Sequence, residues 1–575
     1  MLSAGPPWAA LSGAVPSLWK DLPILCAGLA LFWGLLSVTR YWAGPVGTQP
    51  DIDLSPAALP KYALFSVARI AIAYAISLAV TVVYAYIAAH NARAERVMIP
   101  LLDTLQSIPV LSFLPPVMVA MVGLFPARQV GVELGSILLI FTGQVWNMTF
   151  SVYSSIKNIP RELREAAEVY RLSWWQQLLQ LELPYSAIGL VWNSMMSVAG
   201  GWFFLMACEM FVLGNRDLRL PGLGSYLQTA ANAGDTRAIV WGLAAMIAVI
   251  VLLDQLIWRP VIAWSEKFKF EQVEAFHTPR SPVLDLVRHS RLLSLAGRVS
   301  VGPAREALTL HFAKTRASGR ARIRSGLAKW VARALAAAGA AAMVYAVARM
   351  VMGLGAASRA GFAEIFVGAG ATFLRVELVL LLAALWTIPA GVYIGLRPRL
   401  AAIAQPVAQI AASVPATALF PIVLLGLIRL GGGLGIGSIV LLLLGTQWYL
   451  LFNIIAGASA IPTDLKEVCD VYRLNRAGRW RKLLLPGIFP FLITGFVTAS
   501  GGAWNASIVA EYFRFHGRTF STTGLGAVIS RATDRGDFAV LLGATVTMAV
   551  VVVTVNRLVW RRLYALASTR FRLEV

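Results

Sequence analysis

Four ionisable residues stand where an apolar chain should carry no charge. Arg69 and Arg375 each lie inside a hydrophobic run, and Glu209 and Glu511 each close another. A charge facing hydrocarbon costs about 2.5–3.5 kcal/mol even on the mildest scales, so such residues pair, reach water or serve an ion path. Three chemistries fit. Arg69 with Glu209 and Arg375 with Glu511 form two equivalent pairs bracing one end of the bundle. Alternatively, all four snorkel to the interface, where Arg216 and Arg514 neutralise the acids. A third reading has the two arginines touch an anionic solute directly. Trp202 and Trp504, in the same runs as the acids, complete this candidate pathway or gate set. Catalytic chemistry finds no support. The chain has five His without an H-E-x-x-H, and Cys26, Cys208 and Cys469 lie far apart without C-x-x-C spacing, so neither a catalytic residue nor a metal site is expected. No G-x-x-x-x-G-K-[ST] phosphate loop occurs, so the chain holds no ATPase site and no cofactor of its own is expected.

The elements that position these residues follow from composition. The 575 residues are 58% hydrophobic and 14% charged, and the mean hydropathy is +0.70. That is more apolar material than one soluble core needs, and it predicts an all-α integral membrane protein. A span needs about 20 apolar residues, and roughly twelve such runs can be found. They lie near 22–44, 62–89, 98–125, 132–155, 185–213 and 237–264, then near 330–353, 364–395, 401–429, 434–457, 487–512 and 538–562. Runs containing prolines, such as the one with Pro109, Pro115 and Pro116, are read as kinked spans.

The net charge of +22 raises the question of nucleic acid. The basic residues gather between and after apolar runs instead of interleaving with aromatics, so they read as topology signals and lipid contacts, and no nucleic-acid partner is expected. Residues 266–329 carry 13 Lys and Arg against 5 Asp and Glu and contain no span. They form a basic cytoplasmic linker between a first domain, 1–265, and a second, 330–575. With six spans on either side, both termini fall in the cytoplasm, and Asp51 and Asp53 fall outside.

The halves repeat one another. From about Trp146 to Arg259 they align at a constant offset of 302, with IPRELREAAEVYRL at 159–172 matching IPTDLKEVCDVYRL at 461–474. Pro184 falls on Pro486, Glu209 on Glu511, and Gly222-Leu223-Gly224 on Gly524-Leu525-Gly526; upstream, Ser107-Ile108-Pro109 matches Ser413-Val414-Pro415 at an offset of 306. An even number of spans per copy makes the repeats parallel, with a pathway between them.

Between the fourth and fifth spans of each half lies a polar loop with its own folding signals. Pro160 and Pro462 suit a first helical turn, Glu162 and Asp464 favour a helix N-terminus, and Ser173 and Asn475 are N-caps, Ser173 with Gln176 at capping-box spacing. The expected shape is a short helix, a turn and a second helix that ends at Pro184 or Pro486.

This loop resembles the EAA loop of binding-protein-dependent ABC importer permeases. Glu165-Ala166-Ala167 opens it, and Leu181, Leu183 and Pro184 close it 19 residues after Glu165; Glu467 and Pro486 repeat the spacing. Two departures stand out. The second copy reads Glu467-Val468-Cys469, and the family's Gly, six residues after the Glu, is Arg171 and Arg473 here. Arg69 and Arg375, Trp202 and Trp504, the two acids and the Gly-Leu-Gly beginning thirteen residues after each acid resemble the nitrate/sulfonate/taurine class. The resemblance implies a type I importer fold and two copies of a cytoplasmic ABC ATPase, which would bind the ATP and Mg. It further implies a periplasmic or extracellular substrate-binding protein, a small anionic solute and a bacterial inner membrane location. Glu165, Ala166, Ala167, Arg171, Leu172, Glu467, Arg473 and Leu474 would couple the chain to the ATPases. A major-facilitator-type secondary transporter also has six plus six spans, but that class lacks such loops.

Overall fold

A computed structural model describes residues 42, 51–125, 129–213, 216–268, 282–289, 307, 359–429, 433–515 and 518–570. The expected spans at 22–44 and 330–353, Cys26 and most of the linker at 266–329 lie outside the described residues. Helices account for nearly everything described. In chain order they are α1 (Leu59–His90), α2 (Ala92–Ser107), α3 (Leu114–Leu124), α4 (Gln129–Lys157), α5 (Arg161–Val169), α6 (Trp174–Glu209), α7 (Leu223–Ala233), α8 (Thr236–Ser265) and α9 (Pro282–His289). The second half supplies α10 (Arg359–Gly395), α11 (Pro398–Ser413), α12 (Ala416–Arg429), α13 (Leu434–Ser459), α14 (Thr463–Val471), α15 (Arg476–Ala510), α16 (Leu525–Arg535) and α17 (Phe538–Ala567). Among the described residues eight helices are long and apolar enough to cross a membrane.

Two of the kinked spans are sharper than a kink. The axis turns by 85° between α2 and α3 and by 77° between α11 and α12. Ile108 and Val414, each the residue before a proline, are extended (ψ 129° and 116°). Proline Cδ clashes with an α conformation at the preceding residue, so the motif Ser-x-Pro ends one helix before the next begins.

A second difference concerns the loops. The helix after Ser173 does not end at Pro184; α6 continues through it, as α15 continues through Pro486. The continuity depends on a π-turn at Leu178–Glu182, where the Leu183 amide bonds back to Leu178, and on its twin at Trp480–Leu484. A wider turn placed just before the proline relieves the bond that a proline cannot donate. Two further π-turns, Asp254–Trp258 in α8 and Asn556–Trp560 in α17, stand at equivalent positions. There the first copy has Pro260 and the second Arg562, so proline is not the cause at this pair.

The fifth spans also stop earlier than their apolar runs. After Glu209 and Ala510 the chain forms short antiparallel hairpins, β1 (Val212–Leu213) with β2 (Arg216–Asp217) and β3 (Tyr512–Phe515) with β4 (Arg518–Ser521). Phe513 turns inward and meets Phe420 edge-on, with ring centroids 4.3 Å apart.

The chain divides into two compact units. One comprises Pro45–Phe150, Met196–Val251 and Trp330–Val575. Within it α13 packs on α10 and α15, and α16 on α10 and α17. Its first-half and second-half parts meet at the broken span, where the turn Val110–Phe113 packs against α15 and α17. There the Leu111 amide reaches Asn505 Oδ1 (3.4 Å) and the Thr545 hydroxyl reaches the Ser112 carbonyl (3.4 Å). The other unit comprises Met1–Gly44, Ser151–Met195 and Leu252–Lys329. In it the end of α8 packs on α9, and the Lys267 ammonium lies over the Trp264 ring at 4.4 Å.

Candidate functional site

Arg69 sits on the buried stripe of α1, which runs Tyr62, Phe65, Ser66, Arg69, Ile70, Ala73 at helical spacing. Its guanidinium is 1% exposed and fully engaged. Nη1 donates to Glu209 Oε1 (2.7 Å) and the Pro221 carbonyl (2.9 Å), while Nε and Nη2 form a fork with Glu133 (2.6 and 2.7 Å). Glu209 also accepts from the Ser66 hydroxyl (2.7 Å) and the Gly224 amide (2.7 Å), and the Ser66 oxygen accepts from the Leu223 amide (3.0 Å). A buried carboxylate with this many donors is held in one position.

The second half builds the same brace. Arg375 donates to Glu511, which also accepts from the Thr372 hydroxyl (2.8 Å) and the Gly526 amide (2.8 Å), and the Thr372 oxygen accepts from the Leu525 amide (2.8 Å). Both expected pairings are therefore formed, and snorkelling is overturned for Glu209 and Glu511, which are 0% exposed. Desolvation explains why: once the acids are enclosed, charge-assisted bonds are their only source of solvation. Each Gly-Leu-Gly has a steric reason. A side chain at Gly222 or Gly524 would run into the Glu209 or Glu511 carboxylate.

Glu133 escaped the sequence reading, as did Ser66 and Thr372. The signal for Glu133 was present, since it is the sole acid in the run 132–155. Trp202 and Trp504 are among the largest buried side chains and do not line an opening in this conformation. Outside the spans, burial pushes the Asp217 carboxyl up, but hydrogen bonds and charge from Arg219 outweigh it and hold it below the ordinary carboxylate range.

The loops repeat each other as closely as the braces. Ser173 and Gln176 close a capping box, and Asn475 caps from its side chain to the Gly478 amide (2.7 Å). Pro160 and Pro462 serve as N-caps one residue before their helices. At the other end Arg171 and Arg473 adopt positive φ, 51° and 47°. Each helix stops in a Schellman motif: the Arg171 amide bonds to Glu168 and Leu172 to Ala167, as Arg473 bonds to Asp470 and Leu474 to Cys469. The turn a glycine would make is thus kept with an arginine. Glu165 and Glu467 are exposed, Ala167 and Cys469 are buried, and beyond them Val169, Tyr170, Val471 and Tyr472 are 75–79% exposed.

This doubled loop on a helical membrane chain matches a known family twice. The sequence profile described as "Binding-protein-dependent transport system inner membrane component" covers residues 81–257 and 387–573, more than half of the chain. The chain belongs to this family, with two copies fused in tandem. It is 28% identical over 189 residues to the nitrate import permease protein NrtB of Leptolyngbya laminosa, covering 33% of this chain and 64% of that protein. It is 32% identical over 130 residues to the bicarbonate transport system permease protein CmpB of Synechocystis sp., covering 23% and 45%. It is 26% identical over 182 residues to the taurine transport system permease protein TauC of Escherichia coli, covering 32% and 62%. The matched part therefore spans less than two thirds of each of these relatives.

Proposed function

We propose that this permease forms the translocation pathway of an ATP-driven importer for a small anion and takes its drive from two cytoplasmic ATPase subunits gripping the loops at α5 and α14. The observation that carries the reading is the doubled loop helix, ended in each copy by the same Schellman turn and presenting an exposed Val-Tyr pair beside an exposed acid. Exposed aromatic and aliphatic side chains next to a charge suit a transient protein interface. The relatives' names, nitrate, bicarbonate and taurine, share small size and an anionic group, which supports an anionic cargo. On this reading the ATP and Mg belong to the partner subunits, a binding protein delivers cargo outside, the chain lies in an inner membrane with both termini inside, and 266–329 tethers two permease domains, 1–265 and 330–575. The braces at Arg69 and Arg375 hold the outer ends of the bundles and act as structural gate posts.

The test is charge reversal at both loops, Glu165→Lys with Glu467→Lys. The variant should fold and insert normally, bind the ATPase at least tenfold more weakly and lose ATP-dependent uptake. Normal uptake by the double variant would refute the coupling role. Uptake abolished by a protonophore but untouched by vanadate would instead mark a secondary transporter.

A further inference from the structure

The two braces differ in one carboxylate, and the difference leaves room for a ligand. At the offset of 302, Gly135-Ser136-Ile137 falls on Gly437-Ser438-Ile439, so Glu133 corresponds to Gly435. In the first half the Glu133 carboxylate fills the fork of Arg69. In the second half that carboxylate is missing. Arg375 keeps its bond to Glu511, but among the described residues its Nη2 reaches only the Thr523 carbonyl (3.0 Å) and, at 3.4 Å, the Thr522 hydroxyl. Its side chain is 11% exposed where that of Arg69 is 1% exposed.

The Thr522 hydroxyl and the Thr523 carbonyl, the counterpart of that of Pro221, take up Nη2, but among the described residues no carboxylate replaces Glu133. A Cβ built on Gly435 would find Thr522 Oγ1, at 4.0 Å, as its sole neighbour within that distance among the described residues. Thr522 also lines a neighbouring cavity of about 290 Å³, together with Thr523, Gly524, Gly368, Arg531 and Glu364, whose lining does not include Arg375 or Gly435. Glu364 and Arg531 pair with each other across 2.6 Å and neutralise one another at its wall.

We infer that Arg375 and Thr522 bind a small oxyanion with two acceptor oxygens, seated where Glu133 seats its carboxylate in the first half. The chemistry is that of a guanidinium fork, which matches planar, two-oxygen anions better than spherical ones. The charge balance has a precedent in the molecule. Arg375 with Glu511 is neutral, and one bound monoanion brings that cluster to the same net charge as Arg69 with Glu133 and Glu209. The site follows from comparing the two copies and does not depend on the transport reading.

The probe is nitrate, added to the purified full chain in lipid nanodiscs at constant ionic strength, without ATPase or binding protein. The thermal midpoint should rise saturably with nitrate, as expected for a ligand of the folded state, and not with chloride. Gly435→Glu installs the resident carboxylate of the first half; it should raise the midpoint without anion and abolish the nitrate response. Arg375→Lys keeps the charge but not the fork, and should weaken the response at least tenfold in nitrate concentration. A nitrate response that persists in Gly435→Glu or is undiminished in Arg375→Lys, or equal responses to nitrate and chloride, would overturn the site. If Gly435→Glu does not fold, the Arg375→Lys comparison decides alone. None of these outcomes bears on ATP coupling, which the loop variants test separately.

Discussion

At the scale of single residues, the two buried arginines are unequal although their surroundings match. Removing one partner of a buried ion pair costs about 3–5 kcal/mol, because the other charge is left without solvation. Arg69→Met strands two fully enclosed carboxylates, Glu133 and Glu209, and Arg375→Met strands Glu511 alone. We expect the first variant to accumulate poorly or to melt well below the second in detergent, and equal losses would show that Glu133 contributes nothing. The pairing itself was legible in the sequence, because a charge in an apolar run needs a partner and the repeat displayed the same charges twice. Glu133 obeyed the same rule and was passed over. Its counterpart is a glycine, and a search guided by what recurs is blind to what occurs once. Ser66 and Thr372 were hidden for another reason: hydroxyls are common in membrane helices and bond to their own backbone, as Ser77 does to Ala73, so their type carries no flag.

At the scale of elements, helix ends were readable where they depend on side-chain chemistry and unreadable where they depend on backbone register. The caps at Ser173 and Asn475 follow from residue type and spacing. The π-turns do not, since one extra residue per turn leaves no compositional trace. The same holds for the 85° break after Ser107, where Pro109 marks the place but not the angle. Arg171 and Arg473 offer a quantitative check. A non-glycine residue in the left-handed region costs roughly 1 kcal/mol or more, and glycine removes that strain. Arg171→Gly with Arg473→Gly should therefore leave the melting midpoint unchanged or higher. If the arginines serve only the turn, ATPase binding is also unchanged; if they reach the partner, binding weakens while stability does not. A lower midpoint would show that the side chains hold the loop in place.

At the scale of the whole molecule, tandem fusion makes the connection between the halves a testable element. The 13 basic against 5 acidic residues at 266–329 support the proposed cytoplasmic location of this segment under the positive-inside rule. A lysine- and arginine-directed protease should therefore cut there in inside-out vesicles and spare it in right-side-out spheroplasts. Cleavage from the outer face would invert the topology. Fold class and repeat order were legible here because lipid imposes helices of one length and a duplicated chain imposes one offset.

The π-turn at Trp480–Leu484 has a mechanical consequence. It lies between the capped start of α15, beside the loop, and the end of that helix, beside Glu511. A π-turn amounts to one inserted residue, and each α-helical residue advances the winding by about 100°. Deleting Leu483 should let the helix close into regular α winding with loop and brace still in phase, whereas deleting the exposed Thr494 from the regular part of α15 should turn the loop by about 100° against the brace, shifting it by about 1.5 Å. The second deletion keeps every ion pair and every cap, yet the torque that a partner applies to the loop would arrive at the far end with the wrong phase. Normal helicity and ATPase binding with lost stimulation of ATP turnover by cargo would identify α15 as a drive shaft whose phase is set by a single residue.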